Sequence, residues 1–230
     1  MSSVIGELNS AGVKIHYAIL GLGEPVLLIH GLHSNSRINW DALGTTQMLA
    51  EHFQVVTMDC RGHGLSDKPE AEDAYGINMV EDVVRLLDHL QIAKARVVGY
   101  SMGAMIAMKL AVLHPGRVAG IVLGGMGWNK AGAPLKSAVT TVPKILSPAP
   151  SACSKSFPQF GVTEAEIKAV KIPVAVIIGE NDPYLEWYVE PLRQIRPDWP
   201  VHVIARANHL NCVGKPEFKT RLLAVLESPT

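Results

Sequence analysis

Six short, almost wholly apolar segments recur along the 230-residue chain, and they constrain its fold more than any other feature. Segments of this kind are typical of strands that are covered on both faces of a parallel sheet. They are residues 25–30, 54–59, 95–100, 118–125, 172–179 and 200–205. Amphipathic patterns lie between several of them and indicate helices that alternate with the strands. We therefore predict an α/β fold with a mainly parallel sheet and helices on both faces.

Two predicted helices and one predicted hairpin add detail to this pattern. The apolar positions of residues 80–90 follow helical spacing, with Asn78 at the N-cap and Glu81 three residues later. A second helix is predicted near the end of the chain, over residues 218–226. Residues 13–20 alternate before a glycine-rich turn, which predicts an antiparallel hairpin with the strand that follows. Because such sheets bind ligands beyond the carboxyl ends of their strands, we expect the functional site there.

One region, residues 127–171, interrupts the alternation. It is rich in proline and serine, and Thr163 followed by Glu166 predicts a short capped helix within it. A disordered loop and a small lid both fit this composition, and we prefer the lid because large apolar side chains in the region need burial. These side chains are Trp128, Ile145, Leu146, Phe157 and Phe160. We expect a single domain overall, with its core in two parts, residues 1–126 and 172–230.

The composition argues against several classes of partner and location. Twenty-one basic residues balance 21 acidic ones, so there is no general electrostatic case for binding nucleic acid or an anionic membrane. The N-terminus lacks a basic segment and an apolar run of signal-peptide length, which predicts a cytoplasmic protein. The three cysteines are odd in number and form no CxxC pair, which argues against a disulfide framework and a structural zinc site. We expect a small-molecule partner and neither a metal nor an organic cofactor, and the sequence leaves the oligomeric state open.

The sequence GYSMG, residues 99–103, lies where a predicted strand gives way to a predicted helix. A G-x-S-x-G motif at a strand–turn–helix junction is typical of a nucleophile elbow, in which a strained backbone lifts the serine hydroxyl above the sheet. Glycines at both ends keep side chains out of the crowded space between strand and helix. The motif is weak by itself, because a serine in an ordinary tight turn has the same local sequence. Its interpretation depends on the rest of the chain.

Two candidate partners for Ser101 follow in the chain order that an elbow of this type requires. His209 comes directly after the last apolar segment, and Asp182 lies in the turn after the segment before it. Glu180 is the competing acid, but it is nearer the strand end, whereas the turn at Asn181 extends Asp182 beyond the strand. A histidine base oriented by a carboxylate is the arrangement that activates a serine hydroxyl. The sequence therefore predicts a Ser101, His209 and Asp182 triad.

An acyl-transfer site also needs hydrogen-bond donors for the oxyanion and a pocket for the substrate. The predicted donors are the backbone N–H groups of Leu32, after a glycine at the end of a buried segment, and of Met102, after the nucleophile. His33 either lines the pocket or caps the helix that follows. Met126, Trp128 and residues of the predicted lid are expected to line a rather open acyl pocket, suited to short or medium acyl groups.

With these elements placed, the chain resembles the α/β-hydrolase superfamily over essentially its full length. The matching stretches are IHGLH (29–33), MDCRGHGLSDKP (58–69), GYSMG (99–103), GENDP (179–183) and ANHLN (207–211). The resemblance implies an α/β-hydrolase fold, with a mainly parallel eight-stranded sheet and a small lid between the sixth and seventh strands. Within this family, the stretch with Asp59, Arg61 and His63 implies a network that braces a turn rather than a catalytic one.

The resemblance also implies a hydrolase without a cofactor. The chain looks most like a branch of carboxylesterases, enol-lactonases, perhydrolases and carbon–carbon bond hydrolases of aromatic degradation. A serine at position 101 argues against epoxide hydrolase and haloalkane dehalogenase activity, because those members carry aspartate there. We expect a serine esterase that cleaves small-molecule carboxylic esters. The alternatives are a carbon–carbon bond hydrolase or enol-lactonase, and a ligand sensor with little turnover.

Overall fold

A computed structural model describes residues 3–136 and 149–228, and within them the chain forms an eight-stranded sheet with helices on both faces. The strands are β1 (Val4–Ser10), β2 (Val13–Leu20), β3 (Pro25–Ile29), β4 (Gln54–Met58), β5 (Ala95–Tyr100), β6 (Val118–Gly124), β7 (Val174–Gly179) and β8 (Val201–Ile204). The helices are α1 (Thr45–Ala50), α2 (Ile77–His89), α3 (Met102–Leu113), α4 (Ser151–Lys155), α5 (Glu164–Ala169), α6 (Glu190–Ile195) and α7 (Pro216–Glu227). The predicted fold class is confirmed.

The strand order across the sheet is β1-β2-β4-β3-β5-β6-β7-β8. From β4 to β8 all neighbouring strands are parallel, so their carboxyl ends meet at one edge of the sheet. The predicted hairpin between β2 and β3 is wrong. Strand β2 pairs antiparallel with β1 and β4, and the turn at Ala11 and Gly12 joins it to β1. The alternating burial of β2 suits a place near the sheet edge, whereas β3 is buried on both faces and takes a parallel neighbour on each side.

Side chains that alternate along each strand supply two separate apolar layers. In β5, Val97 packs in the layer that contains α2 and α3, and Val98 packs in the opposite layer with Phe218 of α7. Both valines have no exposed surface. This two-sided burial explains why β3 to β7 are continuous apolar segments in the sequence. The expectation that residues 200–205 are covered on both faces is wrong, because β8 lies at the edge of the sheet and leaves Val203 45% exposed. All three cysteines are buried free thiols.

Helix α2 begins two residues earlier than predicted, so the assignment of Asn78 as its N-cap is wrong. Gly76, with φ of 62°, is the N-cap residue, and the N–H of Ile77 donates to the side-chain oxygen of Gln159 at 3.2 Å. The side chain of Asn78 donates instead to the carbonyl of Asp73 at 2.9 Å. The first turn of α2 therefore takes its acceptor from a residue far along the chain, which no local pattern reveals.

The turn after β4 is braced by buried polar contacts, as the sequence led us to expect. Asp59 accepts hydrogen bonds from the N–H and hydroxyl of Ser36 at 2.8 and 2.7 Å, and from the N–H of Leu65 at 2.8 Å. Arg61 forms a buried ion pair with Asp82 of α2, with an Nε–Oδ2 distance of 2.7 Å. These contacts hold the turn against the segment that follows β3 and against α2. Both carboxylate oxygens of Asp59 accept hydrogen bonds.

The region of residues 127–171 contains α4, a short 3-10 turn at Phe157–Phe160, and α5. The predicted capping box is confirmed: the hydroxyl of Thr163 accepts the N–H of Glu166 at 3.2 Å, and the Glu166 carboxylate accepts the N–H of Thr163 at 2.7 Å. Trp128, Phe157 and Phe160 are buried, as expected. Ile145 and Leu146 lie outside the described residues. Among the helices that are described, none combines the length and apolar character required to cross a bilayer.

Candidate active site

The junction of β5 and α3 holds Ser101 in a strained conformation. Its φ and ψ angles are 54° and −111°, in a region that residues other than glycine rarely adopt. The backbone is held there by a hydrogen bond from the Ser101 N–H to the carbonyl of Gly124 at 2.8 Å. A Cβ added at Gly103 would lie 2.2 Å from the carbonyl oxygen of Ile29, and one at Gly99 would lie 2.1 Å from the carbonyl oxygen of Gly103. Both glycines are therefore required by close backbone packing, as the motif indicated.

Ser101, His209 and Asp182 form one hydrogen-bonded chain at the carboxyl edge of the sheet. The Ser101 Oγ lies 2.9 Å from His209 Nε2, and His209 Nδ1 lies 2.8 Å from Asp182 Oδ2. The other carboxylate oxygen of Asp182 accepts the N–H of Tyr184 at 3.0 Å. Because Nδ1 faces a carboxylate, it carries the ring proton, and Nε2 is left to accept the serine proton. The aspartate is 2% exposed and the histidine 8%, so this chain is shielded from water.

Contacts around His209 fix the position of its ring. The hydroxyl of Tyr100 donates to the carbonyl of His209 at 2.6 Å, and the Tyr184 ring lies with its centroid 4.5 Å from the imidazole. Burial raises the pKa of Tyr100 well above its usual value, so the phenol stays protonated and donates. The competing acid, Glu180, accepts the N–H of Arg206 at 2.7 Å and so braces the turn after β8. Sequence reasoning missed Tyr100, although it lies within the GYSMG motif itself.

A cavity of about 430 Å³ opens above Ser101. Leu32, His33 and Met126 line it, while Met102 is fully buried at the first position of α3. Of the two roles considered for His33, lining the pocket or capping the next helix, the structure supports the first. The Nδ1 atom of His33 also accepts the N–H of Ala149 at 3.1 Å. This bond joins the loop after β3 to the region that precedes α4.

Trp128 lies outside the wall of this cavity, contrary to the sequence prediction. Its indole N–H donates to the carbonyl of Val162 at 2.7 Å, and its backbone N–H donates to the carbonyl of Tyr188 at 2.8 Å. The tryptophan is only 6% exposed. These bonds fix the indole within the protein, where it holds two chain segments together.

Several cavity residues come from the predicted lid, as expected, and one comes from the turn after β7, but the sequence did not single out any of them individually as a pocket residue. They include Leu135, Lys136, Ser154, Phe157 and Tyr184. The Lys136 ammonium lies 5.6 Å from the centroid of the Trp187 ring, and the Tyr188 hydroxyl donates to the Lys136 carbonyl at 2.7 Å. Among the described lining residues, Lys136 is the one lysine or arginine. No sequence pattern marks these positions, because each faces the cavity only through the tertiary arrangement.

Two further observations distinguish the cavity above Ser101 from other possible sites. A larger cavity, of about 590 Å³, is lined by residues that do not include any of those around Ser101. Within residues 3–136 and 149–228, no group of three or more His, Cys, Asp or Glu side chains is arranged to hold a metal ion. The cavity above Ser101 is therefore the one in which the three hydrogen-bonded side chains meet a space that a substrate can enter.

Comparison with known proteins places this fold and site in a family. The family model of the alpha/beta hydrolase fold matches residues 24–146, more than half of the chain. The chain belongs to the alpha/beta hydrolase fold family. Among solved structures, a chain from a study of carboxylesterases of Nitrososphaera gargenis superposes on this alpha/beta hydrolase with a TM-score of 0.79. The two are 20% identical, and the match covers 97% of each. That level of identity shows the fold alone.

Other relatives carry more sequence similarity. Est816, described as an N-acyl homoserine lactone degrading enzyme, is 26% identical to this alpha/beta hydrolase, has a TM-score of 0.78, and is matched over 95% of this chain and 99% of its own. A 2-hydroxymuconate semialdehyde hydrolase of Pseudomonas sp. strain CF600 is 35% identical over 122 residues, which are 52% of this chain and 42% of that protein. The matching segments span only a third to about two fifths of the curated relatives.

Proposed function

We propose that this alpha/beta hydrolase is a serine esterase that cleaves carboxylic esters of short to medium acyl chain through an acyl-enzyme intermediate. The observation that carries the proposal is the hydrogen-bonded chain from Ser101 through His209 to Asp182 at the floor of the 430 Å³ cavity. A strained serine, a base and an orienting carboxylate together serve nucleophilic catalysis, and a site that only binds a ligand requires none of them. The small-molecule ester is the partner that this site would take.

In the first half-reaction, Ser101 Oγ attacks the ester carbonyl carbon and its proton passes to His209 Nε2. The backbone N–H groups of Leu32 and Met102 donate to the oxyanion that develops on the carbonyl oxygen. Met102 is the first residue of α3, so the positive end of that helix also favours the negative charge. His209 then protonates the departing alcohol, and the acyl group remains bound to the serine.

In the second half-reaction, a water molecule attacks the acyl-enzyme and gives up its proton to His209. The intermediate collapses, the carboxylic acid leaves, and the serine recovers its proton. Asp182 stays ionised throughout and stabilises the imidazolium that forms twice in the cycle. Its second oxygen is held by the N–H of Tyr184, which keeps the carboxylate fixed while His209 changes charge.

Hydrolysis of 4-nitrophenyl esters from acetate to dodecanoate tests this proposal. We expect turnover of the short and medium esters, and Ser101→Ala is expected to retain less than about one part in a thousand of the wild-type kcat. Ser154→Ala is the matched control, because Ser154 lines the same cavity and, among the described residues, its hydroxyl bonds only to the carbonyl of Ser151, at 3.0 Å. Equal turnover by the wild type and Ser101→Ala would exclude the serine as nucleophile.

The two acids beside β7 provide a second test. Asp182→Asn removes the charge that orients the imidazole, and we expect kcat to fall by about 10³ to 10⁴ with little change in KM. Glu180→Gln keeps an oxygen that can accept the N–H of Arg206, so its kcat should stay close to that of the wild type. A larger loss of kcat in Glu180→Gln than in Asp182→Asn would show that Glu180, and not Asp182, orients His209.

A second candidate is hydrolysis of a carbon–carbon bond in an acidic ring-cleavage product. Two observations favour it: the similarity to a 2-hydroxymuconate semialdehyde hydrolase, and the presence of Lys136 among the residues that line the cavity, because a lysine suits a substrate carboxylate. Cleavage of 2-hydroxymuconate semialdehyde without turnover of any simple ester would favour this activity. In that case Lys136→Met should raise KM for the acidic substrate and leave neutral esters unaffected.

A further inference from the structure

The larger cavity, of about 590 Å³, lies at the end of the sheet opposite Ser101. It is formed where β6, β7 and β8 begin, and the last turn of α7 covers one side. Arg96, near the amino end of β5, lines it, whereas Ser101 follows the carboxyl end of the same strand. At about 3.3 Å per residue, the two positions are about 16 Å apart. A ligand held in this cavity would leave the candidate active site open.

Basic side chains dominate the charge of this second cavity. The lining contains four cationic groups, Arg96, Lys171, Arg196 and Arg221, and a single acid, Asp198. Asp198 is already paired with Arg196, at distances of 2.9 and 2.7 Å to the two carboxylate oxygens. The other three cations make no ion pair with an acid in residues 3–136 and 149–228. The cavity therefore carries an excess of positive charge that the described protein does not neutralise.

Arg96, which lines this cavity, also has a hydrogen-bond donor without an acceptor. Its Nη1 donates to the carbonyl of Ser228 at 3.2 Å, but its Nε is buried and has no hydrogen-bond partner in the part of the chain that the structure describes. A buried donor without an acceptor is unfavourable, and such groups are rare in proteins. Burial lowers the pKa of the His202 imidazole, and the positive charge of Arg221 lowers it further, so the two side chains lie close together. Both observations indicate a place where an anion would be stabilised.

Apart from His202 and Ser228, the remaining lining residues of the second cavity are apolar or glycine. They include Ile121, Val122, Val174, Ala175 and Trp199, all buried core residues. The volume lies within the range of about 300–1,000 Å³ that is usual for small-molecule sites. A site with apolar walls and uncompensated cations is complementary to a ligand with an apolar body and an anionic head.

We propose that this second cavity is a binding site for an apolar carboxylate. The carboxylate would accept hydrogen bonds from the guanidinium groups of Arg96 and Arg221, and the hydrocarbon would pack against the apolar residues of β6 and β7. Guanidinium suits this role because its planar set of N–H donors matches the two oxygens of a carboxylate. The site is independent of the reaction proposed at Ser101, so either proposal can fail without the other.

Calorimetric titration of the full chain with octanoate and with octan-1-ol tests the proposal. The two probes have the same chain length and differ only in the head group. We expect octanoate to bind at least about ten-fold more tightly than the alcohol, because only the acid pairs with the arginines. Equal affinities would overturn the proposal and leave the cavity as an apolar depression without preference for an anion.

Three variants locate the bound octanoate. Arg96→Met and Arg221→Met keep an unbranched side chain but remove the charge, and each should weaken octanoate binding by about ten-fold or more. Arg193→Met is the matched control, because Arg193 is exposed on α6, pairs with Glu190 and lies outside the lining. Unchanged octanoate affinity in both cavity variants would overturn the proposal. Arg221 is exposed on α7, so its variant decides the matter if Arg96→Met does not fold.

The imidazole of His202 supplies a local signal that does not depend on any variant. Octanoate beside Arg221 would offset the charge that lowers the pKa of His202, so this pKa should rise when octanoate is added, as measured by proton NMR. Octan-1-ol should leave it unchanged. Octanoate binding without a shift at His202 would place the acid elsewhere, including the cavity above Ser101, and would overturn the proposal.

Discussion

Lowering the pH from 7.5 to 5.0 is expected to reduce the free energy of unfolding by about 2 kcal/mol through His63 alone. This histidine has no exposed surface, and its Nδ1 donates to the carbonyl of Arg61 at 3.1 Å. Its Nε2 is buried without a hydrogen-bond partner among the described residues. Burial, with a smaller contribution from neighbouring His30, lowers the pKa of His63 to about 3. The folded protein therefore holds this side chain neutral.

The sign follows from the two pKa values. In the unfolded chain a histidine titrates near 6.5, so below this pH the unfolded state binds a proton that the folded state does not bind. The contribution of His63 is complete above about pH 6.5 and is lost progressively as the pH falls toward 3. A pH of 5 lies about 1.5 pH units below the pKa of histidine in the unfolded chain. Each pH unit corresponds to about 1.36 kcal/mol, so the free energy of unfolding falls by about 2 kcal/mol.

His30 acts in the same direction. Its Nε2 accepts the N–H of Cys60 at 3.0 Å, so its Nδ1 carries the proton and faces the carbonyl of Gly31 at 2.7 Å. A second ring proton would oppose the Cys60 N–H, and burial lowers the pKa of His30. The ring centroids of His30 and His63 are 5.0 Å apart, so charging one ring also disfavours charging the other.

Urea unfolding at pH 7.5 and 5.0 measures the effect, and His63→Asn isolates it, because the asparagine amide can still donate to the Arg61 carbonyl. The loss of stability between the two pH values should be about 2 kcal/mol smaller in this variant than in the wild type. His52→Asn is the control, because the His52 side chain is 40% exposed, and it should preserve the wild-type loss. A loss in His63→Asn equal to that of the wild type would refute the assignment to His63.

Two further substitutions test the position of His209 and the packing of the turn that carries Ser101. Tyr100→Phe removes the hydroxyl that holds the His209 carbonyl, so we expect kcat for short esters to fall by about ten-fold with little change in KM, and stability to fall by about 1–3 kcal/mol in urea unfolding. An unchanged kcat would remove Tyr100 as a positioning residue. Gly103→Ala places a Cβ 2.2 Å from the Ile29 carbonyl oxygen and should destabilise the fold by at least about 2 kcal/mol, whereas Gly116→Ala, with no atom within 4 Å, should unfold at nearly the wild-type urea concentration. Equal stability of the two glycine variants would contradict the close packing of the elbow.

Elements that depend on local pattern could be predicted from the order of the amino acids. Strands β3 to β8 lie within two residues of their predicted bounds. For β3 to β7 the reason is that a strand buried on both faces is a continuous apolar run. The nucleophile elbow could also be predicted from the sequence, because two glycines around a serine indicate a place where backbones approach closely. The order of apolar segments also indicated Asp182 and His209, since the carboxyl ends of parallel strands share one edge of the sheet.

Features that depend on contact between distant segments could not be predicted in this way. The pairing of β2 with β1, the acceptor that Gln159 gives to α2, and the bond from Tyr100 to His209 all join residues whose relation depends on chain paths and register. The same holds for the burial of Trp128 and for the cationic cavity beside α7. A local pattern records which residues are apolar and which favour a turn. It does not record which surfaces meet, because that is set by how the whole chain packs.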